Sequence, residues 1–428
     1  MSAPGPSASQ ARLVRANLDR LVRTEWGRMV SALARTTGGD LTLAEDSLQD
    51  AILAATHQWP RQGVPEKPVG WLLRTARHKA IDQIRRATTH ERIHDAIRPG
   101  LDTTSPPVDH RLVLPDDHLR LVLTCCHPGL PMPARVALTL KTVCGLTTET
   151  LARLLLTDPR ATAQRVVRAK RLVKERQLGW TEVSAADLPD RLDAVMQVVY
   201  VLFTEGYAAS DGPELLRTEL CEEAIRLATL VVDLLERTGS VVPGELQGLL
   251  SLMLLQHARR AARVDPRGRL VLLPDQDRAR WHHREIARGM VALGQAARTL
   301  PAGRYTLQAA IASVHARSMR AEDTDWDEIC ALYALLEQLE PGPAVRLNHA
   351  VAVAMAQGPA AGLVALDRLS SDKGLQRGHL LASARADLLR RLGRTGEAAS
   401  AYRDALSKVG NDAERAFLEG RLVEVEGC

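Results

Sequence analysis

Residues 146–174 read LTTETLARLLLTDPRATAQRVVRAKRLVK, and this stretch contains the start signals of two helices. Thr147 is a favoured N-cap residue, because its side chain can accept a hydrogen bond from the first helical turn. Asp158 is a second N-cap candidate, and Pro159 follows it at the first helical position, where proline is favoured. The stretch therefore predicts two helices joined by a tight turn, at 148–156 and 159–177.

The second of these helices is strongly basic. A helix that follows such a turn can lie in the major groove of DNA and read bases from its N-terminal residues. Arginine pairs with guanine and glutamine with adenine, so base reading is assigned to Arg160, Gln164 and Arg165. Phosphate contact is assigned to the later cations, which are Arg168, Lys170, Arg171 and Lys174. A solvated basic helix is the alternative, but it does not explain the two consecutive caps.

A second helical region precedes this pair of helices. Residues 13–86 carry apolar residues at helical spacing, interrupted at 60–69 by a loop that contains proline and glycine. Residues 87–114 are polar and contain prolines, which predicts a linker to the helical segment 115–180. Residues 1–12 are rich in serine, proline and alanine and predict a disordered tail.

The region 13–86 contains one helix with an acidic face and one basic helix. LAEDSLQDAILAATHQWP, at 43–60, has its acidic and amide side chains on one face: Glu45, Asp46, Gln49 and Asp50. GWLLRTARHKAIDQIRR, at 70–86, is amphipathic and basic. Basic amphipathic helices are usually solvated faces, so the functional interpretation of this one depends on its position along the chain.

The composition of the chain limits its class. The 428 residues include 45% hydrophobic ones and carry a net charge of +5, which suits a folded protein with a polyanionic partner. No apolar run reaches the ~20 residues that a membrane helix needs. The N-terminus lacks the apolar core of a signal peptide, and six cysteines are too few for a disulfide framework. We therefore predict a cytoplasmic protein that does not bind a membrane.

Residues 186–428 predict a helical domain with a weak internal repeat. ADLLRRLGRTGEAASAYRDA, at 386–405, has small residues at a spacing typical of tetratricopeptide repeats: Ala386, Ala398 and Ala405, with Tyr402 between the last two. A weaker copy has Ala350, Gly362 and Leu366 at matching offsets. Antiparallel helices without repeat ancestry are the alternative. Because no stretch alternates with period two, the predicted fold class is all-α.

Catalytic and metal sites are not indicated. Cys125-Cys126-His127 has no second Cys/His pair at finger-like spacing, so these cysteines are predicted to pack at a turn. The sequence shows no glycine-rich phosphate loop and no nucleophile elbow. We predict no catalytic residue, metal or cofactor. A pocket lined by Glu205, His257, Arg259 and Arg260 would instead favour a small-molecule or enzymatic module in the C-terminal domain.

The order of these segments resembles a known family. Residues 43–60 resemble region 2.2 of bacterial sigma factors, 70–86 resemble regions 2.3 and 2.4 of the extracytoplasmic-function group, and 146–173 resemble region 4.2. Further blocks, such as LFTEGYAAS at 202–210 and LLPDQDRARW at 272–281, resemble the subgroup with a C-terminal tetratricopeptide-like extension. The resemblance implies an alternative sigma factor with region 2, region 4 and helical-repeat domains.

The resemblance also implies a role for each set of residues. The acidic face would meet the β′ clamp helices of core RNA polymerase through Glu45, Asp46, Gln49 and Asp50, and the β flap of the polymerase is a further implied partner. A flipped base of the minus-10 element would lie in the loop Gly63, Val64, Pro65, Glu66 and Lys67. The same element would meet Trp71, Arg74, Arg77, Lys79, Gln83, Arg85 and Arg86. Trp71 as an ordinary core residue is the alternative for that position.

The predicted partners are core RNA polymerase and promoter DNA. The basic helix at 159–177 would read the minus-35 element, and the C-terminal domain would modulate activity, with a regulatory protein as one candidate partner. The alternative is a helix-turn-helix transcriptional regulator with a protein-binding helical-repeat domain that never joins polymerase. The acidic helix at 43–60 separates the two, because a simple repressor has no use for it.

Overall fold

The computed structural model describes residues 8–95, 117–155, 157–176, 178 and 187–427. These residues form helices joined by loops, with no β-strand among them, which confirms the all-α prediction. The chain divides into two compact units, Met1–Val198 and Val199–Cys428. The boundary lies inside a helix.

The first three helices of unit 1 are α1 (Ala8–Thr36), α2 (Leu41–Gln62) and α3 (Pro68–Asp95). They pack on one another around apolar side chains that include Leu33, Leu48 and Leu72, which are fully buried. Helix α1 begins earlier than the predicted tail allows, and α3 continues to Asp95, past the predicted end at Arg86. No proline or glycine stands between Arg86 and Pro99 to stop it. Residues 1–7 of the tail and 96–114 of the linker lie outside the described residues.

Helix α2 ends later than the sequence predicts. Pro60 lies within its last turn, and the helix stops at Gly63, whose N–H donates to the carbonyl of Trp59 at 2.9 Å. Gly63 has a φ of 86°, a conformation that glycine adopts at little cost and other residues rarely adopt. The glycine, rather than the proline, therefore ends the helix, and the loop before α3 is 63–67.

Four helices follow the linker: α4 (Asp117–Cys125), α5 (Met132–Thr142), α6 (Thr148–Leu154) and α7 (Pro159–Glu175). Both predicted caps are confirmed. Thr147 accepts from the N–H of Thr150, and Asp158 accepts from the N–H groups of Arg160 and Ala161. Helix α7 buries Val166, Ala169 and Val173 against the other helices. The predicted packing role of Cys125 and Cys126 is confirmed, because both are fully buried.

The last helix of unit 1 crosses into unit 2, and the remaining helices belong to unit 2 alone. Their bounds are α8 (Pro189–Tyr207), α9 (Thr218–Arg237), α10 (Gly244–His257), α11 (His283–Ala296), α12 (Arg304–Arg317), α13 (Trp326–Leu339), α14 (Pro343–Gln357), α15 (Pro359–Asp367), α16 (Lys373–Arg377), α17 (Leu380–Arg391), α18 (Thr395–Leu406) and α19 (Asp412–Glu426). From α12 onward, most helices pack on the next in the chain. The arrangement is consistent with helical repeats.

The small residues of the predicted repeat lie in the core of unit 2. Ala386, Ala398 and Ala405 are fully buried, and Tyr402 is 1% exposed. In the weaker copy, Gly362 on α15 packs so closely on Ala354 of α14 that a Cβ atom at position 362 would overlap the alanine side chain. The spacing of small residues therefore marks the positions at which neighbouring helices approach most closely.

Asn411 fastens the last helix to the loop before α9. Its side chain is buried, and its Oδ1 accepts from the N–H groups of Ala413 and Glu414 at the start of α19. Its Nδ2 donates to the carbonyls of Gly212 and Glu214, at 3.2 and 3.0 Å. One side chain therefore both caps a helix and satisfies two backbone carbonyls distant in sequence.

We expect Asn411→Ala to lower the free energy of unfolding of unit 2 by about 2–3 kcal/mol. The N-cap contributes about 1 kcal/mol, and each partly buried hydrogen bond to a backbone carbonyl about 1 kcal/mol. Chemical denaturation followed by circular dichroism measures the change. Asn411→Ser is the matched control, since serine retains the cap but not the amide donor, and it should recover about a third of the loss. Equal stability of Asn411→Ala and the natural protein would contradict this account.

Candidate functional site

The predicted acidic face lies on α2. Asp46 and Gln49 are exposed, Asp50 is half-buried, and Glu45 is buried. Helix α2 is capped at its start by Asp40, whose side chain accepts from the N–H of Leu43 at 3.0 Å. The buried side of α2, which includes Leu48, Ala51 and Ala55, fixes the rotation of the helix and so holds Asp46 and Gln49 toward solvent.

The basic residues of α3 form an exposed surface on the adjacent helix. Five of the predicted residues are exposed, namely Arg74, Arg77, Gln83, Arg85 and Arg86. Lys79 is half-buried, and its Nζ lies 3.8 Å from Oδ2 of Asp50 on α2. The structure thus places Lys79 of the predicted minus-10 residues beside Asp50 of the acidic face.

The loop between α2 and α3 is exposed and lies beside a pair of tryptophans. Gly63, Val64, Glu66 and Lys67 are exposed and Pro65 is half-buried. The rings of Trp71 and Trp59 meet edge to face, with centroids 5.5 Å apart. Trp59 is 2% exposed, whereas Trp71 is half-buried. Trp71 therefore has one side packed on the core and another side accessible, so the two alternatives for this residue are compatible.

Helix α7 presents most of its predicted DNA-contacting residues to solvent. Arg160, Gln164, Arg168, Arg171 and Lys174 are exposed, and Arg165 and Lys170 are half-buried. Arg168 donates to Oε1 of Gln164 at 3.2 Å, so a residue assigned to phosphate contact holds one assigned to base reading. The caps and the apolar inner side of α7 explain this display, because they fix both where the helix begins and which side is buried.

Residues of the acidic helix α2 and of the basic helix α7 also contact each other within unit 1. Nζ of Lys170 on α7 lies 2.6 Å from Oε2 of Glu45 on α2, with the two side chains only 14% and 7% exposed. Nζ of Lys174 lies 2.9 Å from Oδ2 of Asp40. Among the described residues, Oε1 of Glu45 has no hydrogen-bond partner. In this arrangement Lys170 is bound to a carboxylate, and Glu45 is covered.

Burial and charge shift the pKa of two carboxyls at this contact. Burial raises the pKa of Asp46, although the nearby Lys170 ammonium opposes the shift. For Asp40, burial also acts upward, but the hydrogen bonds from Lys174 and from the N–H of Leu43 outweigh it and lower the pKa. Asp40 was not among the predicted site residues. Its position as an N-cap after a glycine pair is the sequence feature that could have identified it.

The four residues considered as a C-terminal pocket belong to separate hydrogen-bond networks rather than to one site: Glu205, His257, Arg259 and Arg260. His257 Nδ1 lies 3.1 Å from Glu285, which also accepts from Arg260 at 2.8 Å. Glu205 instead accepts from the N–H of Ser210, and Arg259 donates to Tyr207. Within the described ranges, no group of three or more metal-ligating side chains could hold an ion. No helix in the described part of the chain has the length and apolarity to span a membrane.

Comparison with known proteins gives matches to two parts of the chain and one match to most of it. Residues 22–89, which contain the acidic face of α2 and the basic residues of α3, match sigma-70 region 2. Residues 191–297 match a family of unknown function (DUF6596). An uncharacterized protein of Rhizobium meliloti (strain 1021) is 38% identical over 387 residues, which is 90% of each chain. No solved structure matches the chain.

Proposed function

This chain belongs to the same family as the Rhizobium meliloti protein and contains sigma-70 region 2, which supports a sigma-factor role in transcription initiation. On that premise we propose that it is an alternative sigma factor of the extracytoplasmic-function type, acting in the cytoplasm. It binds core RNA polymerase and directs it to a promoter with two elements. The observation that carries the proposal is that the region-2 match contains an acidic face on α2 beside an exposed basic face on α3.

The acidic face of α2 is the proposed polymerase contact. Asp46 and Gln49 are exposed on a helix whose other side is fixed by the core, so they form a rigid surface. An exposed carboxylate beside an exposed amide, on a helix fixed by the core, suits the β′ clamp helices as a partner, since complementary charge speeds docking and fixes its register. The β flap is the proposed partner of the α4–α7 segment.

The exposed basic face of α3 is the proposed minus-10 contact. Arg74 and Arg77 can neutralise phosphates, which supplies affinity that does not depend on sequence. The loop 63–67 and the accessible side of Trp71 lie at the start of the same helix, where an unstacked base could lie against an aromatic ring. Loop, tryptophan and arginines together would hold the melted strand.

Helix α7 is the proposed reader of the minus-35 element. Its N-terminal turn, capped by Asp158, exposes Arg160 and Gln164, which are the side chains suited to base edges. Its C-terminal half carries the cations suited to phosphates. Two basic helices that lie on either side of the linker can then meet two separate DNA elements.

Reconstituted transcription tests this function. Core polymerase that lacks its own sigma subunit is mixed with the purified protein and a library of genomic promoters, and transcript starts are sequenced. We expect starts at promoters that share two spaced elements, with none in the absence of the protein. A helix-turn-helix regulator outside polymerase would bind DNA in this system without associating with core enzyme, and that result would overturn the proposal.

The assignment of base reading to the N-terminal residues of α7, and of phosphate contact to its later residues, gives a separate prediction. We expect Arg165→Ala to weaken binding to the minus-35 element by roughly 1–3 kcal/mol while leaving non-specific DNA affinity nearly unchanged. Arg171→Ala should instead weaken binding to all sequences and reduce the salt slope by about 1. Fluorescence anisotropy at several salt concentrations separates the two effects. Identical behaviour of the two variants would refute the assigned roles.

The C-terminal unit is proposed to be a tetratricopeptide-like domain that modulates activity through a regulatory protein. Its stacked helices and buried small residues support this assignment. A truncation after Val198 tests it, because the residues before that point belong to unit 1 and include Arg191, which donates to the carbonyl of Leu123. Unchanged transcript output from the truncated protein would exclude modulation at the promoter tested.

A further inference from the structure

A cavity of about 230 Å³ lies in unit 2, between the segment 272–281 and helices α12, α13 and α14. We infer that this cavity binds a small aromatic carboxylate, whose ring packs on Trp326 and Met355 and whose charge pairs with Arg278. The sequence block LLPDQDRARW at 272–281, which the proposed sigma-factor function does not use, forms one wall. All of these residues belong to unit 2, so the inference does not rest on the proposed function.

The walls of the cavity are mostly apolar. Hydrophobic side chains form the larger part of the lining: Leu273, Pro274, Ala321, Trp326 and Met355. One lining residue is acidic, Glu322, and its exposed carboxylate is paired with Arg320. At ~30 Å³ for each water molecule of the liquid, the cavity volume corresponds to about eight waters, or to an organic molecule of roughly eight to ten non-hydrogen atoms. Because its walls are apolar, the cavity suits a flat ring better than a hydrated inorganic ion.

Arg278 is held at one wall of the cavity by groups that carry no charge. Its Nη1 donates to the carbonyls of His315 and Ser318 at the end of α12, at 2.5 and 2.8 Å. Its guanidinium carbon lies 4.6 Å from the ring centroid of Trp281, which is 4% exposed. Among the described residues, no carboxylate lies within ion-pair distance of Arg278, and its buried Nε has no hydrogen-bond partner. A charge that is partly removed from water in this way is costly unless a partner binds it.

A second arginine adds positive charge near the cavity. The guanidinium carbon of Arg259 lies 5.8 Å from the Trp281 centroid, and Arg259 donates to uncharged side chains. Burial and the charge of Arg259 lower the pKa of Arg278, and Asp323, which lies beyond ion-pair distance, only partly opposes them. Burial, reinforced by both arginines, lowers the pKa of His315 to about 4, so its ring is neutral at pH 7. His315 lines the cavity, and its buried Nδ1 has no partner in the part of the chain that the structure describes.

An aromatic carboxylate matches this combination of groups. The unpartnered Nε–H of Arg278 can donate to a carboxylate oxygen, and hydrogen bonds between charged groups are among the strong ones. Trp326, whose ring meets that of His315 edge to face with centroids 5.2 Å apart, can pack on the ring of the ligand. A neutral ring would leave the charge of Arg278 unpaired. A phosphate would find one arginine and an apolar wall, which is a poor match for its several oxygens.

Benzoate has the size and charge that the cavity requires, and it is the probe. The full-length protein is labelled with carbon-13 at its methionine methyl groups, and the Met355 resonance is assigned from Met355→Leu. We expect benzoate to shift this resonance with a dissociation constant of about 1 mM or below, and to leave the fully buried Met29 of unit 1 unshifted. Benzamide, which has the same shape without the charge, should bind at least about tenfold more weakly.

Two pairs of variants locate the site. Arg278→Gln removes the cation of the cavity, and its control Arg280→Gln removes an exposed cation that does not line it. Ala321→Leu fills the cavity, and its control Ala279→Leu adds the same bulk at an exposed position outside it. We expect Arg278→Gln and Ala321→Leu each to weaken benzoate binding about tenfold or more, and both controls to stay within about twofold. If Arg278→Gln does not fold, Ala321→Leu decides the question, because it retains the arginine.

The absence of a Met355 shift with benzoate at up to about 10 mM overturns the inference. Equal affinity for benzamide overturns the pairing of the ligand with Arg278, and equal affinity of all four variants overturns the location of the site. A shift of Met355 by inorganic phosphate as strong as that by benzoate overturns the aromatic class of the ligand. None of these measurements uses polymerase or promoter DNA, so a failure of the proposed function does not affect their outcome.

Discussion

Asp46→Arg is expected to weaken binding to core RNA polymerase by roughly 30- to 150-fold, about 2–3 kcal/mol. Asp46 is the exposed carboxylate at the centre of the acidic face, and α2 holds it rigidly because the opposite side of the helix is buried. Reversal of its charge would place a cation against the proposed partner surface, which would be complementary to carboxylates, and such like-charge contacts are costly. Biolayer interferometry with immobilised core enzyme measures the loss.

Asp46 also interacts with α7 through the Lys170 ammonium. An arginine at this position would instead repel Lys170, so a control for the change of charge is needed. Asp19→Arg, an equal change of charge at an exposed position on α1, should leave binding within about twofold. Equal losses from both variants would mean that net charge, rather than the α2 face, controls binding.

Local features of the fold follow from the sequence wherever neighbouring residues determine them. The caps Thr147 and Asp158 act on N–H groups within three residues, so the starts of α6 and α7 could be predicted. The end of α2 could not be predicted as well, because Pro60 and Gly63 compete as stop signals. The proline is tolerated in the last turn, and only the backbone geometry at Gly63 shows which residue ends the helix.

The exposure of most candidate site residues could be predicted from the sequence, but the ion pairs between them could not. Helical periodicity identifies which side chains share a face, and it placed Asp46 and Arg77 on exposed faces, where the structure has them. The ion pair between Lys170 and Glu45 joins residues 125 positions apart, on opposite sides of a linker. Periodicity contains no information on which faces meet. The contact between Lys170 and Glu45 therefore depends on the tertiary structure, and helical periodicity alone does not predict it.

The close approach of α10 and α12 in unit 2 depends on a glycine that sequence reasoning did not single out. An ideal Cβ at Gly248 would lie 2.6 Å from Oγ1 and 2.7 Å from N of Thr306. Thr306 donates both its N–H and its hydroxyl to Glu245 Oε1, at 3.1 and 2.7 Å, which caps the start of α12. A side chain at position 248 must displace this backbone and break the cap.

We expect Gly248→Val to lower the free energy of unfolding of unit 2 by about 3 kcal/mol or more, because overpacking at a backbone contact adds to the lost cap at Glu245. Gly294→Val is the matched control, since it carries the same helix-propensity change at an exposed position with open space around it. Guanidinium denaturation of both variants measures the difference. Equal midpoints would mean that α10 and α12 separate at little cost, and the close helix contact at Gly248 would then contribute little to the stability of unit 2.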